Sequence, residues 1–356
     1  MKIFNKETWA VGLAMFSMFF GAGNIIFPLA LGQLAGDKNG FAILGLVLTG
    51  VFVPFAGVLA MIMFNGDQQR FFGRLGKVPG FLIAFMVIAL LGPLGSTPRC
   101  IALSYTTFQS FLPGISAPLF GISACIVIYL FAASQKRLLK LLGVVLTPLL
   151  LISLISIIVL GFAFPADLAK VDDARFELFL TGLKEGYNTM DLLAAFFFSS
   201  TIWALLKGRE NRNRISIGAS LIAMTLLIIV YGGFSYIAAM HGELLMKDEI
   251  LSAITFKLAG PYGGILVCIA IGLACLTTAI ALISSFSEFV HKEVFRERLS
   301  YKIILAGSLL ITFVVSTLNF NGISAFLGPI LQIIYPGLIV LTIFNIISVK
   351  KTKVLI

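Results

Sequence analysis

The residues in this chain whose types and spacing could do chemistry are few, and most of them are neutral. Gly21-Ala22-Gly23-Asn24 interrupts the apolar run Met15–Leu31, and Pro28 follows four residues later. Inside a helix, glycine is about 1 kcal/mol and proline about 3 kcal/mol less favourable than alanine. In hydrocarbon, a helix broken this way persists only where the freed backbone groups line a cavity or face other protein. The competing reading is a small-residue surface for close helix packing. A true break would offer free amides and a positive helix end to an anionic group such as a carboxylate. It would also free carbonyls for a cation. A second cluster, Thr277-Thr278 in ACLTTAI, places two adjacent hydroxyls in the middle of another apolar run. Hydroxyls and carbonyls are the hard oxygen ligands that a sodium ion takes without burying net charge, although a single mid-span threonine usually bonds back to its own helix. Two charges complete the set: Arg99 in GPLGSTPR and Asp191 in EGYNTMD. Such a charge within a span costs at least about 2.5–3.5 kcal/mol and faces a partner or a cavity. The two fall at similar depth, so they either pair or bracket the outer mouth of a site.

These groups need a membrane scaffold to position them. Of 356 residues, 59% are hydrophobic and 12% charged, with a mean hydropathy of +1.04; soluble domains run near 45–50% and about 25%. The chain therefore reads as an all-α polytopic membrane protein, and its net charge of +10 is a matter of topology before it is one of nucleic acid. Cys100, Cys125, Cys268 and Cys275 sit in apolar runs with no CxxC or Cys/His metal spacing. His241 and His291 lie near charged loop segments, which argues against a catalytic histidine within the membrane. Nothing points to a cofactor or to an enzyme. The first apolar run is too long for a signal peptide and reads as a retained span.

Ten spans are expected: Thr8–Gly32, Gly40–Phe64, Gly80–Gln109, Ala117–Ala133, Leu138–Phe164, Leu180–Leu206, Ile215–Met240, Gly263–Val290, Tyr301–Leu318 and Gly322–Val349. Basic residues test the count. Lys2 and Lys6, Arg70–Lys77, Lys136–Lys140, Lys207–Arg214, Lys292–Lys302 and Lys350–Lys353 all fall on one side. They hold most of the lysine and arginine, so this side is cytoplasmic and both termini lie there. On the other side, His241–Tyr262, with Leu245, Ile250, Leu251, Ile254 and Leu258 among charges, reads as a short amphipathic surface helix, either a cap or a moving lid. Ten spans divide into two five-helix repeats of opposite orientation, residues 1–164 and 165–356, within a single transport domain. Inverted repeats of this kind mark secondary transporters, whose sites lie near the midplane between paired broken helices. Span 6 should then be interrupted as span 1 is. Its apolar part, Leu192–Leu206, is too short to cross alone, and the hydroxyl cluster Ser199-Ser200-Thr201 after Phe196-Phe197-Phe198 marks the expected break. Phe19, Phe20, Phe197 and Phe198 near the breaks suit a zwitterion with an apolar side chain.

The stretches FSMFFGAGNIIFP, GPLGSTPR with Ser104-Tyr105, EGYNTMD, ACLTTAI and Ile334-Tyr335-Pro336 together resemble the bacterial BrnQ-type branched-chain amino acid:cation symporters of the amino acid–polyamine–organocation superfamily. The resemblance covers nearly the whole chain in order. It implies a LeuT-like fold of five-plus-five inverted repeats with helices 1 and 6 discontinuous. It also implies Na+-coupled uptake of leucine, isoleucine and valine across the bacterial inner membrane. Carried over residue by residue, it implies that Gly21, Ala22, Gly23 and Asn24 hold the substrate's carboxylate end. Phe197, Phe198 and Ser199 would contact its amino group and side chain. Carbonyls of Ser17, Phe20 and Ala274 and the hydroxyls of Thr277 and Thr278 would bind one Na+. Members of that family commonly carry two further spans beyond the tenth, which leaves packing against lipid or a second subunit open. The Ser199-Ser200 hydroxyls leave the preferred amino acid open, and a proton-coupled or ion-independent carrier of other apolar or aromatic amino acids is the alternative.

Overall fold

Hydrophobic patterning and the breaks in it account for the helices of the structure, a computed structural model that describes residues 5–133, 145–209, 211–241 and 246–354. Lys2, Lys136, Arg137, Lys140, Leu245 and the first residues expected in span 5 lie outside the described residues, as do the side chains of Lys350, Lys351 and Lys353. Among the described residues the chain is helical and contains no strand. Span 1 comprises α1 (Lys6–Phe19) and α2 (Ala22–Ala35). Span 2 comprises α3 (Asn39–Val47), a π-turn over Leu48–Phe52, and α4 (Val53–Met63). After the short α5 (Gln68–Phe72), span 3 is built from α6 (Lys77–Leu91) and α7 (Ser96–Phe111). Spans 4 and 5 are α8 (Ala117–Ala132) and α9 (Thr147–Ala163). Span 6 comprises α10 (Arg175–Asn188) and α11 (Asp191–Leu205). Spans 7 to 10 are α12 (Arg212–His241), α13 (Ile250–Phe289), α14 (Tyr301–Ser316) and α15 (Asn319–Val354). The stretches 22–63, 77–111, 212–241, 250–294 and 319–348 are each long and apolar enough to cross a membrane, and four shorter apolar helices accompany them.

The breaks have local causes. Asn5 starts α1 by accepting from Thr8 N at 2.7 Å. The helix stops at Phe20, which is extended, and restarts at Gly21, whose amide donates to the Asn24 side chain at 3.0 Å. With 14 residues, α1 is about 21 Å long, too short for a hydrocarbon layer of about 30 Å, so α1 and α2 cross only in tandem.

Span 6 is discontinuous as expected, but at Thr189-Met190 rather than in the hydroxyl cluster. Met190 takes a left-handed backbone at φ 66°, where a side chain costs about 1–2 kcal/mol. The cluster itself lies in unbroken helix: Ser199 donates to the carbonyl of Ala195, Ser200 to that of Phe196 and Thr201 to that of Phe197. Hydroxyls that bond four residues back stay compatible with helix, so they carried no information about a break. Span 3 is also interrupted, at Gly92–Gly95. His241, expected near a loop, is buried in the last turn of α12 with a ring nitrogen 3.0 Å from the Gly161 carbonyl. The surface helix on the opposite face is present as the first part of α13, which kinks at Gly260 before Pro261; Ile250, Leu251 and Ile254 are its buried side.

Helix packing follows the inverted repeat. Span 7 packs along both halves of broken span 1, and span 2 packs along both halves of broken span 6. If spans 1 and 6 are equivalent, as are 2 and 7, these are one contact made twice. Span 3 packs on span 8, the pair that the same symmetry exchanges with itself.

Candidate substrate and cation site

The two breaks and α13 meet in the buried centre of the bundle. Ser17, one turn before the end of α1, has a carbonyl that the ending helix leaves available. It accepts from Thr277 Oγ1 and from Thr278 Oγ1, both at 3.1 Å, and Thr277 Oγ1 also reaches the Ala274 carbonyl at 3.1 Å. Ser17, Ala274, Thr277 and Thr278 are therefore brought together by spans 1 and 8, as expected. Phe20 lies at the end of α1, fully buried, its ring stacked on Phe16 at 5.1 Å. Gly21 makes the approach possible: a Cβ there would sit 2.8 Å from Thr278 Cγ2. The result is a set of neutral oxygens with no carboxylate bonded to them among the described residues, a donor set that fits a hard monovalent cation.

Three residues beyond Gly21, at Asn24, a second set of polar groups begins. Asn24 Nδ2 donates to Asp191 Oδ2 at 2.7 Å and to the Tyr231 hydroxyl, and Tyr231 donates to the same Asp191 oxygen at 2.9 Å. Spans 1, 6 and 7 are thus tied together at the breaks by three buried side chains. Leu192 N, in the first turn of α11, donates to the Tyr335 hydroxyl of span 10 at 3.0 Å, which satisfies one of the amides that a helix start leaves unpaired. Tyr231, Tyr335 and Asn188 were not anticipated as site residues. A tyrosine in an otherwise apolar span, as at Tyr231, is the signal that could have found the first of them.

Arg99 and Asp191 do not pair. No ion pair within 4.0 Å joins them. Instead Arg99, in the first turn of α7, donates from Nη2 to the Asn188 carbonyl at 3.0 Å, and its guanidinium carbon lies 5.4 Å from the Phe27 ring and 5.5 Å from the Phe320 ring. The break in span 3 accounts for this: restarting at Ser96 turns Arg99 onto α2. Its Nη2 would be 2.9 Å from a Cβ at Gly23. The two glycines of the break therefore serve different neighbours, Gly21 the threonine pair and Gly23 the arginine.

The expected substrate residues divide into two groups. Ala22, Gly23 and Asn24 form the first turn of α2 and are buried. Phe198 meets Phe19 edge-on at 5.3 Å beside the span 1 break. Ser199 spends its hydroxyl on its own helix. Phe197 points elsewhere, into a cavity of about 510 Å³ lined also by Met18, Ser200, Ala281, Ser284 and Glu288. That cavity lies on the face where α1 begins, and Met18 puts its inner end one residue from Ser17. Down α13, residues 277, 281, 284 and 288 follow one another at helical spacing from the threonine pair into the cavity. On the opposite face the bundle is bridged. Lys247 pairs with Glu185 at 2.9 Å, and Asp248 accepts from Thr106 at 3.3 Å and Asn321 at 3.2 Å.

Comparison with known proteins agrees with this architecture. The family model described as "Branched-chain amino acid transport protein" matches residues 4–355. Proteins of Staphylococcus aureus strains bovine RF122 / ET3-1 and USA300, each named "Putative branched-chain amino acid carrier protein", are 33% identical over 377 residues, covering 98% of this chain and 83% of their own length. Among solved structures, MhsT in complex with L-phenylalanine superposes with a TM-score of 0.56 at 17% identity, over 86% of this chain and 78% of MhsT. The inward-facing conformation of Mhp1 gives 0.59 at 13%, over 95% and 76%. A substrate-bound, outward-open Na+-coupled sialic acid symporter gives 0.62 at 12%, over 95% and 78%. At these identities the structures bear on the fold, and all three share it.

Proposed function

The chain belongs to the branched-chain amino acid transport protein family, and from that premise we propose that it is a Na+-coupled symporter of leucine, isoleucine and valine working by alternating access. The observation that carries the reading is the convergence of the Thr277 and Thr278 hydroxyls on the Ser17 carbonyl where span 1 breaks. Na+ is cargo here. It would sit among the carbonyls of Ser17, Phe20 and Ala274 and the two hydroxyls, which would turn their lone pairs toward it. The first turn of α2, Gly21–Asn24, would receive the substrate's carboxylate at a positive helix end. Phe198, beside the span 1 break, would lie along its side chain, whereas Phe197 faces the cavity instead. Ser199 is the weakest of these assignments, because its hydroxyl already has a backbone partner.

The cavity beneath Met18 and the bridges across the opposite face correspond to an inward-facing arrangement, if the basic face is cytoplasmic. That orientation, with both termini on the cytoplasmic side of the bacterial inner membrane, rests on the positive-inside pattern of the lysines and arginines. The repeats 1–164 and 165–356 would rock against one another around the site. Na+ drives the cycle to the extent that it binds the outward state more tightly than the inward one.

A second reading has one observation in its favour. Asp191 is a buried carboxylate whose contacts are neutral donors, the situation of a group that could carry a proton, and proton coupling would use it. Radiolabelled leucine uptake into proteoliposomes separates the two. Accumulation that requires a Na+ gradient supports the first. Accumulation driven by a pH gradient without Na+ supports the second, and no accumulation under either gradient would sink both.

A further inference from the structure

Arg99 is 1% exposed, and as a guanidinium it carries five N–H donors and a fixed charge. Inside the bundle it makes one hydrogen bond, to the Asn188 carbonyl, and its buried Nε has no partner among the described residues. Among the described residues no carboxylate lies within 4.0 Å of it. The acid nearest in role, Asp191, is already engaged by Asn24 and Tyr231. Two phenyl rings, Phe27 and Phe320, cover the guanidinium. Cation–π contacts favour the charge, but they satisfy none of its N–H groups. A guanidinium covered by rings can still bond through its edge, in its own plane. The edge atom Nη2 lies against Gly23, in the first turn of α2, and against Asn188, at the end of α10. That is the junction of the two broken helices.

We infer that Arg99 is the carboxylate anchor of the transported amino acid, holding one carboxylate oxygen on its N–H edge while the first amides of α2 hold the other. The inference rests on the transport reading above and deepens it by naming the group that selects for a free carboxylate. Three features converge on it. The fork of a guanidinium matches a carboxylate in plane and spacing. The positive end of α2 adds to the same potential. The missing counter-charge is one that an anionic ligand would supply when it arrives. Gly23 belongs to the same design, because a side chain there would stand where the guanidinium meets the helix.

The test compares L-leucine with L-leucinamide, which keeps the ammonium and side chain and lacks the anion. Binding to purified full-length protein in Na+ is measured by thermal shift and scintillation proximity. Wild type should prefer leucine by on the order of 100-fold. In Arg99→Gln leucine affinity should fall by about 10- to 100-fold while leucinamide affinity stays within about threefold, so the preference collapses. Arg99→Lys should recover part of it. An equal loss for both compounds would mean that Arg99 only supports the fold, and unchanged affinity for both would mean that it is not in the site; either result overturns the inference. If the variants do not fold, the wild-type comparison decides alone, since a wild type that binds leucinamide as well as leucine needs no carboxylate anchor. A folded wild type that binds neither compound would overturn the transport reading, and the anchor with it.

Discussion

Thr278→Val isolates one oxygen of the proposed cation site. Valine keeps the shape of threonine, so the packing of Cγ2 against Gly21 is retained and only the hydroxyl is lost. In the structure that hydroxyl makes a single bond, 3.1 Å to the Ser17 carbonyl, and Thr277 continues to donate to the same acceptor. The cost to folding should therefore be about 1 kcal/mol or less. The ion-bound protein loses more, because an interaction with a charged group is worth about 1.5–3 kcal/mol, which corresponds to about 10- to 150-fold in affinity. Initial rates of leucine uptake into proteoliposomes, measured against Na+ concentration, should show the half-saturation rising by that factor. The maximal rate at saturating Na+ should stay near wild type. A second readout needs no transport: the rise in Tm on adding Na+ reports binding to the folded state, and its midpoint should move by the same factor. A folded Thr278→Val protein whose two midpoints stay within about twofold of wild type, a difference worth only about 0.4 kcal/mol, would refute the assignment of this oxygen to the ion.

Gly21→Ala should reach the same site by crowding, because its Cβ would lie 2.8 Å from Thr278 Cγ2; overpacking of this kind costs about 1–3 kcal/mol, read as a lower Tm together with weaker Na+ dependence. Tyr231→Phe removes the hydroxyl shared by Asn24 and Asp191 and should lower stability by about 1–3 kcal/mol, in denaturation of the purified protein, with leucine uptake impaired. Glu185→Gln breaks the Lys247 bridge, but Lys247 is 46% exposed and Glu185 16%, so stability should change by less than about 1 kcal/mol; a larger drop in Tm would mean that the face is held by this pair after all. Ser284→Cys, in a background without other cysteines, should react with a membrane-impermeant thiol reagent applied from the face where α1 begins, since Ser284 lines the open cavity, and failure to label would mean that the cavity is closed in solution.

The sequence was informative where a residue type has few uses. Gly21 and Gly23 in an apolar run, and two adjacent threonines at mid-span, had few structural roles open to them, and the structure joins both to one carbonyl and one arginine. The basic residues between spans gave the element count for the same reason. Legibility failed where the decisive contact was made by another helix. The break of span 6 falls at Met190, a residue with no preference for left-handed backbone, held there by packing and by the Tyr335 hydroxyl against Leu192 N. The hydroxyls that looked like a break point each bond four residues back in their own helix, Ser200 also reaching the Gly66 carbonyl at 2.6 Å. Arg99 and Asp191 matched in depth and sign, but depth says nothing of rotation about a helix axis. The unexpected interruption at Gly92–Gly95 turns Arg99 away from Asp191 and onto Gly23. Gly92, Pro93 and Gly95 carried that signal.

The packing of span 7 along broken span 1 also sets the order of assembly in time. Asn24 finds Tyr231 207 residues further along the chain, and at about 5–20 residues per second of synthesis the polar break waits about 10–40 s for its partner. Span 6 has no such delay, because span 2, its neighbour, is made before it. Of the two equivalent contacts, one therefore closes as soon as its second helix inserts. The other leaves Asn24 in the first span without its Tyr231 partner until span 7 is made.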